Sequence, residues 1–277
     1  VLKLLGVRSL GPRDTREVLR ALAADPVAGC MVAARIEEAG LPTAGGVELW
    51  SRGGPEESLC FSGPSLMPIH GTWDDMRAFA ERAQRGPRLC SSIVGRRDLA
   101  MPLWQQLEQA WGPAREVRSD QPLLVRSAPS PIPADLDVRR VLPHEIDAYY
   151  GAAVAMFIEE VGTDPRAFDG GRGYRRRISE LIARGRAFAR FEDGRVAFKC
   201  EIAAMSRQVA QIQGVWVDPK QRGRGLGAAG TATVVNEIVA SGRVASLYVN
   251  GYNLSARQAY ANVGFTQVGT FATVMLD

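Results

Sequence analysis

The segment QIQGVWVDPKQRGRGLGAAG, residues 211–230, joins an apolar strand to a helix through a glycine-rich loop, and few folds accommodate that order. The strand ends at Val217, Asp218 and Pro219 open a turn, and Arg222 to Gly227 lead into the helix. Glycines let the backbone curve tightly and let an anion reach its amides. A helix start adds unpaired N–H groups and a partial positive charge, and Arg222 and Arg224 add full charges. The segment therefore predicts a pyrophosphate cradle. The string from Gly225 to Gly230 also fits the dinucleotide fingerprint. That reading needs a strand running straight into the first glycine and an acidic residue about 20 positions later. Here seven residues separate Val217 from Gly225, and the next strand, ASLYVN, ends in Asn250.

The stretch SAPSPIPAD, Ser127 to Asp135, has prolines at alternate positions and reads as a semi-rigid connector. We expect an α/β domain over residues 1–126, a linker over 127–134 and a second domain over 135–277. The second domain reads as a strand at LDVRRVL, a helix from Pro143 towards Val161, and an arginine-bearing helix, YRRRISELIARG. Strands AFARFE, RVAFKCEIAAM and QVAQIQGVWV follow, then the helix LGAAGTATVVNEIVASG, the strand ASLYVN, the short helix NLSARQAYANVG, and final strands FTQVG and FATVML. This order is mixed α/β, with helices interrupting an extended sheet. On QVAQIQGVWV, alternation places Val209, Gln211, Gln213 and Val215 on one face.

With 34 basic and 30 acidic side chains and no apolar run near the roughly 20 residues a membrane helix needs, the chain reads as globular rather than membrane-spanning. The opening VLKLLGVRSLG does not have the layout of a secretory signal, so a cytoplasmic location is expected. Cys30, Cys60, Cys90 and Cys200 stand apart, which fits buried thiols and no metal site. His70 and His144 are the only histidines and lie far apart. Chemistry is thereby left to carboxylates, tyrosine, backbone amides and a cofactor. Arg172, Arg175, Arg176 and Arg177 fall mostly on an amphipathic helix, where a solvated basic face is preferred over a nucleic-acid site.

Arg222-Gly-Arg-Gly225-Leu-Gly227 resembles the Arg/Gln-x-x-Gly-x-Gly/Ala pattern of the GNAT N-acetyltransferase superfamily. YVNGYNLSARQAYANVGF resembles its second cofactor motif through Asn253, Ala256, Arg257, Tyr260 and Gly264-Phe265. Both stand in the family's order, and the resemblance covers essentially all of 135–277. It implies an acyl-CoA N-acyltransferase fold with a central mixed sheet, and acetyl-CoA as cofactor with coenzyme A as product. Val215, Trp216 and Val217 would pair with the pantetheine arm. Gly223, Arg224, Gly225, Leu226, Gly227 and Ala228 would meet the pyrophosphate, with Arg222 at the mouth. Asn253 would bond the cofactor or cap its own helix.

Acyl transfer needs a neutral amine, whereas a lysine-like amine has a pKa of about 10.4. The departing thiolate needs a proton donor, a role that the resemblance gives to Tyr260. Family members commonly carry a glutamate on the strand before the cradle, where this chain has Gln211 and Gln213, neither of which accepts a proton. Glu201, Glu159 and Glu160 remain candidate bases, although for each of the three surface charge is the preferred reading over catalysis, and Gln213 would orient the acceptor or a water.

Residues 1–126 show helices near PRDTREVLRALAAD and VAGCMVAARIEEAG, strands near GVELWSR and ESLCFSG, a helix at WDDMRAFAERAQRG, a strand at LCSSIV, a helix at MPLWQQLEQAWG and a strand near QPLLVRS. The order parallels the second half, but His70-Gly71-Thr72 stands where a cradle would be. A degenerate GNAT-like repeat and an unrelated accessory domain are both open. The leading expectation is an acetyl-CoA-dependent N-acetyltransferase acting on a primary amine of a small molecule or protein. The alternative is a catalytically weakened acyl-CoA-binding regulatory protein. The sequence leaves the oligomeric state open.

Overall fold

The computed structural model describes residues 6–41, 46–167 and 169–277. The chain divides into two compact units, one comprising the chain to Leu123 with Tyr248–Tyr252 and Gln267–Asp277, the other Leu124–Leu247 with Asn253–Thr266.

The first half runs β1 (Arg8–Ser9), α1 (Thr15–Ala24), α2 (Cys30–Ala39), β2 (Glu48–Ser51), β3 (Leu59–Ser62), β4 (Ser65–His70), α3 (Trp73–Ala83), β5 (Ser92–Arg96), α4 (Arg97–Trp111) and β6 (Glu116–Arg126). The second half runs β7 (Arg139–Arg140), α5 (Ile146–Val161), α6 (Arg172–Ala183), β8 (Ala187–Glu192), β9 (Arg195–Met205), β10 (Val209–Val217), α7 (Leu226–Ala240), β11 (Val244–Tyr248), α8 (Leu254–Val263) and β12 (Thr266–Met275). Strand, two helices, three strands, helix, strand, helix, strand: both halves follow this one order. A short 3-10 turn precedes α1, and another precedes α5.

In the first unit the strands lie in the order β1-β2-β3-β4-β5-β12-β6, with β4 and β5 parallel. Period-two alternation explains why helices cover both faces. Leu49, Leu59, Phe61, Met67, Val94 and Phe271 pack with Val18, Leu22, Val32 and Ile36 of α1 and α2. Their strand neighbours Trp50, Cys60, Leu66, Ile93 and Ala272 pack with Met76, Phe79, Leu103 and Leu107 of α3 and α4. The two strands expected at FTQVG and FATVML are one strand, β12, whose Phe271–Met275 pair antiparallel with β5. Most of it therefore departs from the expected 135–277 grouping. It is apolar on both faces, and the first unit supplies a partner for each face.

In the second unit the order is β11-β10-β9-β8-β7. Val141, Tyr149, Ala153, Ile178 and Ile182 pack on Ala187, Ala189 and Val196. The proline-bearing stretch is laid against α7 and α8. Ser130 N–H donates to Asn236 Oδ1 (2.7 Å), Asp135 N–H to Ala229 O (3.1 Å) and Arg126 Nη1 to Gly264 O (3.2 Å). Prolines offer no N–H of their own, so the non-proline residues between them make the attachment.

Candidate functional site

Strand β10 sets the geometry. Along β9 it pairs antiparallel from Ala210 to Val217, but its parallel pairing with β11 extends only from Val209↔Val244 to Gln211↔Ser246. Beyond that pair β11 no longer follows β10. Ser246, at this last pair, is fully buried, and its Oγ has no hydrogen-bond partner among the described residues. The β10–β9 register steps from Gln213↔Glu201 to Trp216↔Lys199, one extra residue on β10, and Gly214 in that bulge has φ +60°. The bulge reverses the alternation expected from sequence. Trp216, rather than Val215, shares a face with Gln211 and Gln213: it packs with the α5 and α6 cluster, and its Nε1 donates to Glu159 Oε2 (3.3 Å).

The loop after β10 carries the glycines from which a cradle was expected. Asp218 accepts from Lys220 N–H (2.9 Å), which starts the turn at Pro219. Gly223 (φ +77°) and Gly225 (φ +81°) hold left-handed backbone, and a Cβ added at either would meet open space. Gly225 is the residue before α7 and supplies no side-chain cap. Ala229 N–H reaches back to Gly225 O (3.0 Å), so the amides of Leu226, Gly227 and Ala228 precede the helix's own ladder. A Cβ at Gly230 would lie 2.6 Å from the Phe198 ring, which brings the start of α7 close to β9. Residues 223–228 thus offer an open arc of amides at a helix start, a shape and charge that suit a pyrophosphate.

Both arginines of the motif have partners in the protein. Arg222 donates to Glu159 Oε2 (2.7 Å) and Val217 O (3.1 Å), and Arg224 to Gln221 Oε1 (2.7 Å). Asn253 caps α8, accepting from Ala256 N–H (3.1 Å) and the Ser255 hydroxyl (3.1 Å). Tyr260 is buried on α8, its ring edge-on to Phe265 with centroids 6.0 Å apart. Burial pushes its phenol up from the ordinary tyrosine value, and the charge of Glu160 adds to the shift. The hydroxyl therefore keeps its proton through the neutral range.

All three candidate carboxylates interact with other groups of the protein. The hydrogen bond from Arg222 holds Glu159 below the usual carboxylate range, which weakens it as a base. Glu160 is exposed. Glu201, for which surface charge is the preferred reading from sequence, is instead wholly buried: Lys199 Nζ lies 2.8 Å from its Oε1 and Arg177 Nη1 3.3 Å from its Oε2. Burial alone would raise its carboxyl, but Lys199, Arg177 and hydrogen bonds from Lys199 and Gln213 outweigh that and hold it low. Lys199 is also fully buried, 5.3 Å from the centre of the Tyr149 ring, and the Tyr149 hydroxyl donates to Cys200 O (3.1 Å). A Cβ at Gly214 would come within 3.1 Å of Lys199 Nζ, so the ion pair lies directly against the bulge.

Residues 200–274 match the family described as FR47-like protein, and residues 47–149 match a domain of unknown function, DUF4081. No curated protein sequence matches the chain. Among solved structures, an acetyltransferase from the GNAT family of Colwellia psychrerythraea is 11% identical over 98% of this chain and 99% of that one, with a TM-score of 0.57. A tandem GNAT protein from the clavulanic acid biosynthesis pathway is 14% identical over 98% of each chain, with a TM-score of 0.56. The fold is that of the GNAT acetyltransferases. A Drosophila protein shares it at 14% identity over 98% of this chain and 99% of that one, with a TM-score of 0.67.

In the first unit the turn from β4 to α3, at the same place in the element order as the loop from β10 to α7, has no glycine cradle among the described residues. Only Gly71 and Thr72 separate β4 from α3, Thr72 Oγ1 accepts from Asp75 N–H (3.4 Å), and Asp75 Oδ2 accepts from Thr72 N–H (2.8 Å). Asp74 and Asp75 place negative charge where a phosphate would need positive. Sequence reasoning passed over Lys199 and Ser246 as site residues. For Lys199 the signal was two charged residues, two positions apart, in the apolar run VAFKCEIAAM, an arrangement that puts both on one face of a strand. Ser246 left no signal, because its meaning depends on where β10 and β11 part.

Proposed function

We propose that the second unit is an acetyl-CoA-dependent N-acetyltransferase that acylates a primary amine of a small molecule or protein. The observation that carries this reading is the parting of β10 from β11 after Gln211, directly before a helix start with open glycines. Bound acetyl-CoA supplies an activated thioester, whose acyl carbon forms the new bond to the amine nitrogen as its bond to sulfur breaks. The chain's residues divide the remaining work. The backbone of Val215, Trp216 and Val217, unpaired on the β11 side, receives the pantetheine amides as an added strand would. The amides from Gly223 to Ala228 hold the pyrophosphate, and Asn253 fixes the α8 end of the site. A main-chain N–H at the bulge polarises the carbonyl oxygen. Tyr260 would donate its proton to the departing sulfur, and the proton shed by the attacking nitrogen as the amide forms would restore it through solvent.

Gln213, tied to Glu201, faces the acceptor side and orients the amine by hydrogen bonding. With Glu159 and Glu201 both held ionised by cations, neither is a strong base, so the amine reaches Gln213 already neutral or loses its proton to solvent. Four buried free thiols fit a reducing compartment, and we place the protein in the cytoplasm. Among the described residues no helix is long and apolar enough to cross a membrane.

The test is a thermal-unfolding titration with acetyl-CoA, with NADH as control, followed by coenzyme A release against an amine panel. At about 100 times its dissociation constant a native-state ligand adds roughly 2.7 kcal/mol, so a saturable shift with acetyl-CoA alone is expected. Equal shifts with NADH, or none with either, overturn the cofactor assignment. Binding without coenzyme A release from any amine favours the regulatory reading.

A further inference from the structure

The first unit lacks a phosphate cradle, yet it contains a pocket of about 810 Å³ where β4 and β5 begin and α3 ends. That volume is within the range of small-molecule sites. One wall is fixed and neutral in charge. Trp50 Nε1 donates to Glu48 Oε2 (2.5 Å), and Arg82 Nη2 donates to the same oxygen (3.1 Å). The Arg82 guanidinium also stacks 5.1 Å from the Trp50 ring centre and bonds Ser9 Oγ (2.6 Å) and Val7 O (3.2 Å). Glu48 and Arg82 thereby balance each other's charge, while the buried Arg82 Nε has no hydrogen-bond partner among the described residues.

The rest of the lining is different. Arg85 and Arg88, on the loop between α3 and β5, are exposed and have no ion-pair partner among the described residues. Glu48 is the one carboxylate among the lining residues and is already engaged, so two positive charges face the pocket uncompensated. Beside them Leu89, 62% exposed, and Trp111 present apolar surface. Forked guanidinium donors match the planar oxygens of an anion, and a tryptophan with a leucine suits a flat apolar body.

We propose that the first unit binds a small aromatic organic anion, its charged group between Arg85 and Arg88 and its ring against Trp111 and Leu89. This is a second ligand site, and it does not rest on the acetyltransferase reading.

The probe is 8-anilinonaphthalene-1-sulfonate, titrated by fluorescence into the full chain, with uncharged N-phenyl-1-naphthylamine for comparison. We expect saturable binding of the anion and weaker binding of the neutral compound. The double variant Arg85→Ala/Arg88→Ala, which removes two charge-assisted contacts, should weaken the anion about tenfold or more. Both residues are exposed, so its unfolding midpoint should match that of the wild type. Equal affinity in the double variant, or equal affinity for the neutral probe, overturns the proposal. So does anion binding that is lost in Gly225→Val while the double variant retains it, which would assign the anion to the second unit.

Discussion

Tyr260 and Lys199 show how one unit uses buried polar atoms for opposite ends. Burial keeps the Tyr260 proton in place, and a phenol that stays protonated can give that proton to a leaving thiolate. Tyr260→Phe should lower kcat on the order of 100-fold and leave the acetyl-CoA dissociation constant nearly unchanged, as single-turnover assays and equilibrium titration would report. Unchanged kcat would remove the donor role. Lys199 carries its charge where water does not reach, so its value depends on Glu201. Lys199→Met should cost about 3–5 kcal/mol in denaturant unfolding, because it leaves a buried carboxylate with the half-exposed Arg177 and the neutral Gln213 as its remaining partners. Lys199→Met/Glu201→Leu should recover most of that loss, since apolar side chains of similar volume replace a buried pair at little cost. A double variant as unstable as the single one would mean that packing, not charge, sets the requirement.

The elements around the site were legible to different degrees. The glycine loop was readable because Gly223 and Gly225 hold conformations that other residues resist. Gly225→Val should therefore strain the αL position by about 1–2 kcal/mol and put a branched side chain into the open arc. The expected result is acetyl-CoA affinity reduced about tenfold or more, measured by the same thermal shift; full affinity would count against the cradle. The bulge was not readable. A chain of alternating residues continues from Val209 to Val215 in sequence, and only the pairing with β9 shows that Gly214 is the extra residue. The arginine motif was half readable: Arg222 and Arg224 stand in the loop after β10, as the sequence order requires, while the partner of Arg222 lies on α5, far off in sequence. A different element is held by the ion pair between Arg139 of β7 and Glu145, ahead of α5. The Arg139 hydrogen bond lowers the Glu145 carboxyl to about 2. A folded-state pKa below the unfolded one means that this contribution is complete above about pH 4.5 and is lost as pH falls towards 2. Thermal unfolding between those values should fall more steeply for the wild type than for Glu145→Gln, and parallel curves would show the pair to be inert.

At the scale of the molecule, the repeated element order was partly visible in the sequence: the helices fall in the same succession in both halves, while the two-residue β1 and the strand β4 did not stand out as strands of their own. The membership of β12 was not visible. Its residues from Phe271 to Met275, with Leu276 after them, are mostly apolar on both faces, Thr273 excepted, which marks a strand covered on two sides and does not say by which helices. The structure gives Phe271 to one face of the first unit and Ala272, Val274 and Leu276 to the other. A fragment of residues 1–126 made alone should lack a cooperative unfolding transition, because Phe61, Ile93 and their neighbours lose that covering strand. Circular dichroism would check this, and a cooperative melt of the fragment would show that β12 is dispensable.

The late position of β12 also sets a schedule. A ribosome delivers the chain from its amino end, so β5 emerges long before the strand that pairs with it. During that interval the helices α1 to α4 have a sheet to fold against that lacks a strand, with backbone N–H and C=O groups of β5 still open to other partners. The first unit is therefore begun before the second and completed only after most of it, and in a crowded cell its exposed edge invites a chaperone or a neighbouring nascent chain until β12 arrives.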